Sequence, residues 1–377
     1  MRLGDLRVRP DARAALHDRI LVATNSVLPS QLGATLAGHD AHSGIVATGG
    51  AAITPVRKLR AALSGIVSAV DPAYYETYAA TADRPFDGAA ADDEDALPMS
   101  GRSPLGFYVA EQARSFDAVF SPTGYLGPAA HDALAAVIEE CNLVDDPRLV
   151  TLLPVDKAWL VPAARELLIE CIAASRHLTA LVIVSQYDPY ADRDVGSGLV
   201  ELLAKSGENL VLHRTDMAAV HAFARGMAGA TIGTSASLRH AVPPGQHPWT
   251  RRAKDGKRPP RLPVLVPGID EFHDVGVLEE WFGDDAPRCT TVPCCGRRLT
   301  AFDPADVPDR DAAANHNVAS WLAVAEDLLS TAQPYRRRWL DHYRMRVNTA
   351  FGELRAQTRN RKVQPSGGTQ FWLDCLN

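Results

Sequence analysis

Apolar and polar positions along the 377-residue chain fall into two alternating patterns. Short, nearly continuous apolar runs recur at Arg19–Thr24, Gly44–Thr48, Ala118–Ser121, Leu149–Pro154, Ala180–Ser185, Leu210–His213, Ala228–Gly233 and Leu262–Val266. A parallel strand covered on both faces reads this way, because neither face needs polar side chains. Between several of them, apolar residues recur at helical spacing: Pro128–Cys141, Pro162–Ala174, Gly196–Lys205 and Met217–Gly226. The alternation predicts α/β architecture. Eight strand-like runs predict a (β/α)8 TIM barrel over residues 1–283, with a doubly wound sheet as the runner-up.

Two insertions interrupt that pattern, an acidic loop over 81–104 and a Pro-rich basic loop over 240–261. After the eighth run comes a helix, Val275–Phe282. A second unit is then expected over 284–377, with a cysteine cluster, a helix from about Asn317 to Thr331 and an Arg-rich helical tail.

Composition changes little. Hydrophobic residues make up 46% and charged residues 22%, which excludes global disorder. No apolar run of eighteen residues occurs, so no membrane partner is expected. The first residues carry charges throughout, without the apolar core of a secretory signal, so the expected location is cytoplasmic. The formal charge of −6 argues against a dedicated nucleic-acid binder. That average hides a local excess, however. Tyr335–Lys362 holds nine basic residues against two acidic ones, with aromatics interleaved. Arg336, Arg337, Arg338, Arg344 and Arg346 are its candidate phosphate contacts. A solvated helix with paired arginines is the plainer alternative. Oligomeric state is left open, a homo-oligomer included.

Three of six cysteines fall within seven residues, at Cys289, Cys294 and Cys295, and His316-Asn317 follows. Zinc takes four such ligands in a tetrahedron, so Cys289, Cys294, Cys295 and His316 are candidate ligands of a structural zinc. Buried, inert cysteines are the competing reading.

Strand runs, then a Cys cluster, then His-Asn: this order resembles the tRNA-guanine transglycosylase family over roughly residues 116–329. The resemblance implies a TIM barrel with a zinc subdomain after the last strand. It also implies a pentosyltransferase that exchanges a guanine or 7-deazaguanine base in nucleic acid, tRNA or DNA. Thr291 stands where the family's middle cysteine would be, and Cys295 could replace it.

Chemistry in such a barrel sits beyond the strand C-termini. Tyr125, in Gly124-Tyr125, matches the family's base-stacking aromatic, while Ser121 stands in place of its catalytic Asp. Asp156 matches the residue that reads the guanine edge, although an Asp before a helical run is also a common cap. Gln186 matches a base-contacting Gln, and Asp188 follows it. Arg214 and Asp216 end the next run, Asp216 with capping as its alternative. Ser235 and Arg239, in the following turn, suit a phosphate, as does an ordinary helix start. The family's nucleophilic Asp has no counterpart in register. Asp270 is the nearest carboxylate and Asp216 the second choice, with Asp156, for the catalytic role. Two other classes stay open: a small-molecule TIM-barrel enzyme for a phosphorylated ligand, and a non-catalytic nucleic-acid-binding module.

Overall fold

The computed structural model describes residues 11–39, 41–63, 65–86, 103–246, 261–289, 291 and 296–374. In chain order the elements are α1 (Ala12–Leu16), β1 (Arg19–Thr24), α2 (Leu32–Ala37), β2 (Gly44–Thr48), α3 (Ile53–Ala62), β3 (Val67–Asp71) and α4 (Pro104–Gln112). Then come β4 (Ala118–Phe120), α5 (His131–Asn142), β5 (Leu149–Asp156), α6 (Pro162–Ala174), β6 (Leu178–Val184), α7 (Arg193–Ser206), β7 (Leu210–Thr215), α8 (Ala218–Ala224) and β8 (Gly229–Gly233). The chain ends with α9 (Ala236–Arg239), β9 (Pro263–Val266), β10 (Glu271–Asp274), α10 (Val275–Phe282), α11 (Val307–Leu329), α12 (Arg336–Thr358) and α13 (Gly367–Asp374).

Strands β1 to β8 close a parallel barrel, with β8 pairing back to β1 through Arg19–Ala23 and Gly229–Gly233. Alternate strand residues point inward. Leu21, Val46, Phe120, Leu152 and Val182 fill the interior. The opposite faces of the same strands join a larger apolar layer beneath the helices, which includes Ile20, Ile45, Leu153 and Ile183. This two-sided burial is why the runs read as continuously apolar.

The barrel is as expected, but its membership differs in two places. Val67–Asp71 is the third barrel strand and was not among the eight apolar runs. Its Ser68 and terminal Asp71 break the apolar signature, yet both are fully buried. Leu262–Val266 is a buried apolar run outside the barrel: β9 pairs antiparallel with β10 in a two-stranded hairpin. Short apolar runs do not reveal which sheet they enter. Every strand-end assignment from Ala118 to Gly233 therefore moves up by one strand.

The C-terminal portion is not set apart from the barrel. Helix α11 packs against β1, α2, α8 and β9, so it occupies the place of the barrel's eighth outer helix. Its Trp321 and Leu322, with Val347 and Phe351 of α12, belong to the same apolar layer as the barrel helices. Helix α11 also starts ten residues before the expected Asn317, under an Asp306 cap that accepts from the Asp309 amide. His316 is thus in mid-helix and fully buried, not at a helix start. No helix among the described residues is long and apolar enough to cross a membrane.

Candidate active-site cleft

Two polar constellations occupy the C-terminal face of the barrel, one sealed and one open. The sealed one was invisible in the sequence. A bulge shifts the β7–β8 register between Leu212 and Thr215, and Arg214 within it has φ 56. The bulge turns both His213 and Arg214 into a buried chain of hydrogen bonds. The Arg214 amide donates to Thr231 Oγ1 at 2.9 Å, and Thr231 Oγ1 lies 2.7 Å from His213 Nδ1. His213 Nε2 lies 2.8 Å from Asp71 Oδ2, to which the Tyr75 hydroxyl also donates at 2.7 Å.

One proton arrangement satisfies every link: Thr231 donates to Nδ1, and Nε2–H donates to Asp71. Burial pushes the His213 imidazole below its usual range. Burial opposes ionisation of Asp71, but His213 and Tyr75 outweigh it and hold the carboxyl low. Arg214 also donates to the Tyr75 hydroxyl at 3.1 Å, pairs with Glu76, and donates to the Ser237 carbonyl. Arg214 is not among the residues lining the open cleft, and its guanidinium is engaged by Tyr75, Glu76 and the Ser237 carbonyl. Its role is structural: it ties β7 to the turn that follows β8.

The open constellation is a cleft of about 750 Å³ beyond β6, β7 and β8. Gln186 and Asp188 reach it from the β6 loop, Asp216 from β7, and Ser237, Arg239 and His240 from the turn after β8. Hairpin β9–β10 adds Asp270, Glu271, Phe272 and His273, and α13 closes one side with Thr369 and Trp372. Gly233 makes the tight return after β8: a Cβ there would lie 2.4 Å from the Leu238 carbonyl carbon. Helix α13 is held by aromatic stacking, Phe371 on Tyr190 at 5.4 Å and Trp372 on Tyr343 at 5.7 Å between centroids.

Four carboxylates line this cleft, in different states. Asp188 accepts from the Tyr190 amide at 2.8 Å through Oδ1. Its other oxygen faces the start of α13, where a Cβ on Gly368 would come within 2.0 Å of Oδ2. Burial, with the nearby charge of Asp216, pushes its carboxyl well above the usual range. Burial also opposes ionisation of Asp216. There, however, His240 at 3.4 Å and the Ala218 amide at 3.0 Å hold the carboxyl below its ordinary value. Glu271 is held low against burial by His273 at 2.9 Å, and it accepts from the Ser366 amide at 2.8 Å. Burial raises Asp270, which sits at φ 51 in the hairpin turn and accepts from the Gly268 amide at 3.1 Å. Neighbouring Asp188 and Asp216 are thus pushed in opposite directions.

Of the sequence candidates, the cleft brings together Gln186, Asp188, Asp216, Arg239 and Asp270. Asp156 and Tyr125 are not among its lining residues. They pair with each other, the Tyr125 hydroxyl donating to Asp156 Oδ2 at 2.6 Å. Asp156 Oδ1 caps the following turn by accepting from the Ala158 amide at 2.9 Å, so the capping alternative describes it. Ser235 lies outside the cleft, its hydroxyl 3.0 Å from that of Ser237. His240, Glu271 and His273 were missed, because only folding brings the hairpin beside the strand ends.

Near the expected zinc site, Cys289 Sγ lies 2.8 Å from His316 Nδ1. His316 Nε2 lies 2.7 Å from the Leu265 carbonyl, which fixes the tautomer with Nδ1 as the free lone pair. Asn317 clamps the same strand, accepting from the Leu265 amide at 2.7 Å and donating to the Pro263 carbonyl at 2.9 Å. Cys294 and Cys295 lie outside the described residues, and among the described residues no group of three metal ligands assembles.

The basic C-terminal segment divides. Arg336 is buried and bidentate with Asp18 at 2.7 and 2.9 Å, and Arg344 is buried beside His221 at 3.2 Å. Both are paired with carboxylates, Arg336 with Asp18 and Arg344 with Asp341. Arg337, Arg338 and Arg346 are exposed on α12.

No protein-family model matches the chain, and no curated protein matches it. Among solved structures, it is similar to a catalytic-site mutant of active domain 2 of a chitinase from Pyrococcus furiosus. Identity is 11% over 61% of this chain and 93% of that one, with a TM-score of 0.32. It is also similar to a multifunctional pyruvate carboxylase from Rhizobium etli, at 12% identity over 95% of this chain and 35% of that one, with a TM-score of 0.33. Similarity at this level bears on neither activity nor fold; the barrel rests on its strand pairing.

Proposed function

We propose that the cleft cleaves or exchanges the glycosidic bond of a guanine or 7-deazaguanine base in nucleic acid. Asp188 acts as the proton donor and Asp216 as the ionised carboxylate. The carrying observation is that Gln186, Asp188 and Asp216 meet in one cleft at the ends of β6 and β7, with Asp188 buried against α13 and Asp216 held by His240 and the Ala218 amide. A glycosidic bond breaks most readily when one carboxyl protonates the leaving group and another supports the sugar C1′. In this reading Asp188 gives its proton to the departing base while the C1′–N bond breaks. Asp216 attacks C1′, and the bond it forms is opened by water or by an incoming base. Gln186 contacts the base. The motif resemblance supplies the base class, and the exposed Arg337, Arg338 and Arg346 supply phosphate contacts.

A structural zinc belongs to the same proposal, held by Cys289, Cys294, Cys295 and His316. Cys289 Sγ and His316 Nδ1 face each other at 2.8 Å and would have to move apart to the roughly 3.5 Å edge of a zinc tetrahedron. Zinc would tie the 289–296 segment to α11 and take no part in the reaction.

The test is release of guanine from tRNA, DNA and free nucleosides. Asp188→Asn and Asp216→Asn are each expected to lower kcat by roughly 10²–10⁴-fold. Wild-type rates in both variants would refute the assignment.

A further inference from the structure

We infer that the cleft contains a phosphate subsite built on Arg239. This arginine is only 3% exposed, yet it lines the open cleft. Its guanidinium carbon lies 3.8 Å from the centroid of the Phe272 ring, which holds the planar group flat. Among the described residues its one hydrogen bond is a long contact from Nη1 to the Gly233 carbonyl, 3.4 Å, and no carboxylate pairs with it. The contrast with the other buried arginines is sharp. Arg214 has Glu76, Arg336 has Asp18 and Arg344 has Asp341. A buried guanidinium is normally satisfied by a carboxylate or a phosphate.

Of the cleft's own carboxylates, Asp216 is near enough for its charge to act on Arg239, but none forms an ion pair with it. Glu271 is engaged by His273 and the Ser366 amide, and Asp216 by His240 and the Ala218 amide. Asp188 and Asp270 are pushed by burial toward their neutral forms. Burial also lowers the Arg239 guanidinium to about 10, a cost that a bound oxyanion would relieve. Ser237 and Arg261 line the cleft with it and can add a hydroxyl and a second positive charge. The ligand class is therefore a phosphate monoester or diester whose remaining atoms extend toward Asp188 and Asp216.

Calorimetric titration with inorganic phosphate, ribose 5-phosphate and a dinucleoside monophosphate tests this on the full chain. Wild type should bind at least one of them. Arg239→Gln should weaken that binding roughly 10- to 100-fold. Because Arg239 is buried, Ser237→Asp serves as a second variant. It changes an exposed side chain, and its negative charge should also weaken binding about tenfold or more. A preference for ribose 5-phosphate would identify a terminal phosphate, and a preference for the dinucleotide a backbone phosphate. Either requires Arg239. Binding that is absent for all three probes, or equal in wild type and both variants, overturns the subsite. The subsite is independent of the acid–base assignment: Asp188→Asn should slow base release and still bind phosphate.

Discussion

Asp156 and Asp188 illustrate how differently one residue type can be used at adjacent strand ends. Both follow an apolar run, and both cap a short turn. Asp156 has its second oxygen occupied by Tyr125, whereas the second oxygen of Asp188 faces α13, and the charge of Asp216 acts on its carboxyl. Replacing Asp156 by Ala should therefore lower stability by about 1–2 kcal/mol, through a lost cap and hydrogen bond, and leave kcat within a few-fold. Urea melts and a base-release assay separate the two effects. A large loss of kcat at unchanged stability would return Asp156 to the site. The sequence made both residues visible as strand-end carboxylates. It could not rank them, because their difference lies in partners remote along the chain. Asp71 and His213, 142 positions apart, were invisible as a pair for the same reason.

At the scale of elements, α13 is the part of the cleft least legible in the sequence. Nothing in Gly367–Asp374 marks a wall for strand ends that lie far earlier in the chain. Stacking on Tyr190 and Tyr343 brings it there, and Gly368 lets it approach Asp188. A Cβ at 368 must displace either the helix or the carboxyl, since 2.0 Å is far inside contact distance. Gly368→Ala should admit water to Asp188, lower its proton affinity and reduce kcat about tenfold or more, with a smaller fall in Tm. Unchanged kcat would mean that α13 has no part in the chemistry. Seven of the eight barrel strands were readable as apolar runs, because two-sided burial leaves that mark on composition. Strand β3 escaped because its Ser68 and Asp71 are satisfied inside the protein: Ser68 donates to Asp117 and Asp71 accepts from Tyr75. Hairpin β9–β10 contributed a false eighth strand, since a buried run carries no record of its partner.

For the whole molecule, the His316-Asn317 pair links three regions. It holds β9 through Leu265 and Pro263, faces Cys289, and lies in the helix that closes the barrel's outer ring. A zinc at this junction would brace the hairpin wall of the cleft against the barrel. Purified protein is then expected to carry one zinc per chain, and chelation should lower Tm and weaken activity together. Zinc-free protein with unchanged Tm would remove zinc from the account. The acid–base pair supports the central claim and gives a definite pH dependence. Asp216 must be ionised, so activity is lost as pH falls through its lowered value. Asp188 must be protonated, so activity is lost as pH rises through its raised value. The most direct measurement is the rate of guanine release from tRNA and DNA across pH, for wild type and Asp188→Asn. A bell-shaped wild-type profile whose alkaline limb disappears in the slower variant is the predicted result. An identical alkaline limb in both proteins, or no release from either substrate, would contradict it.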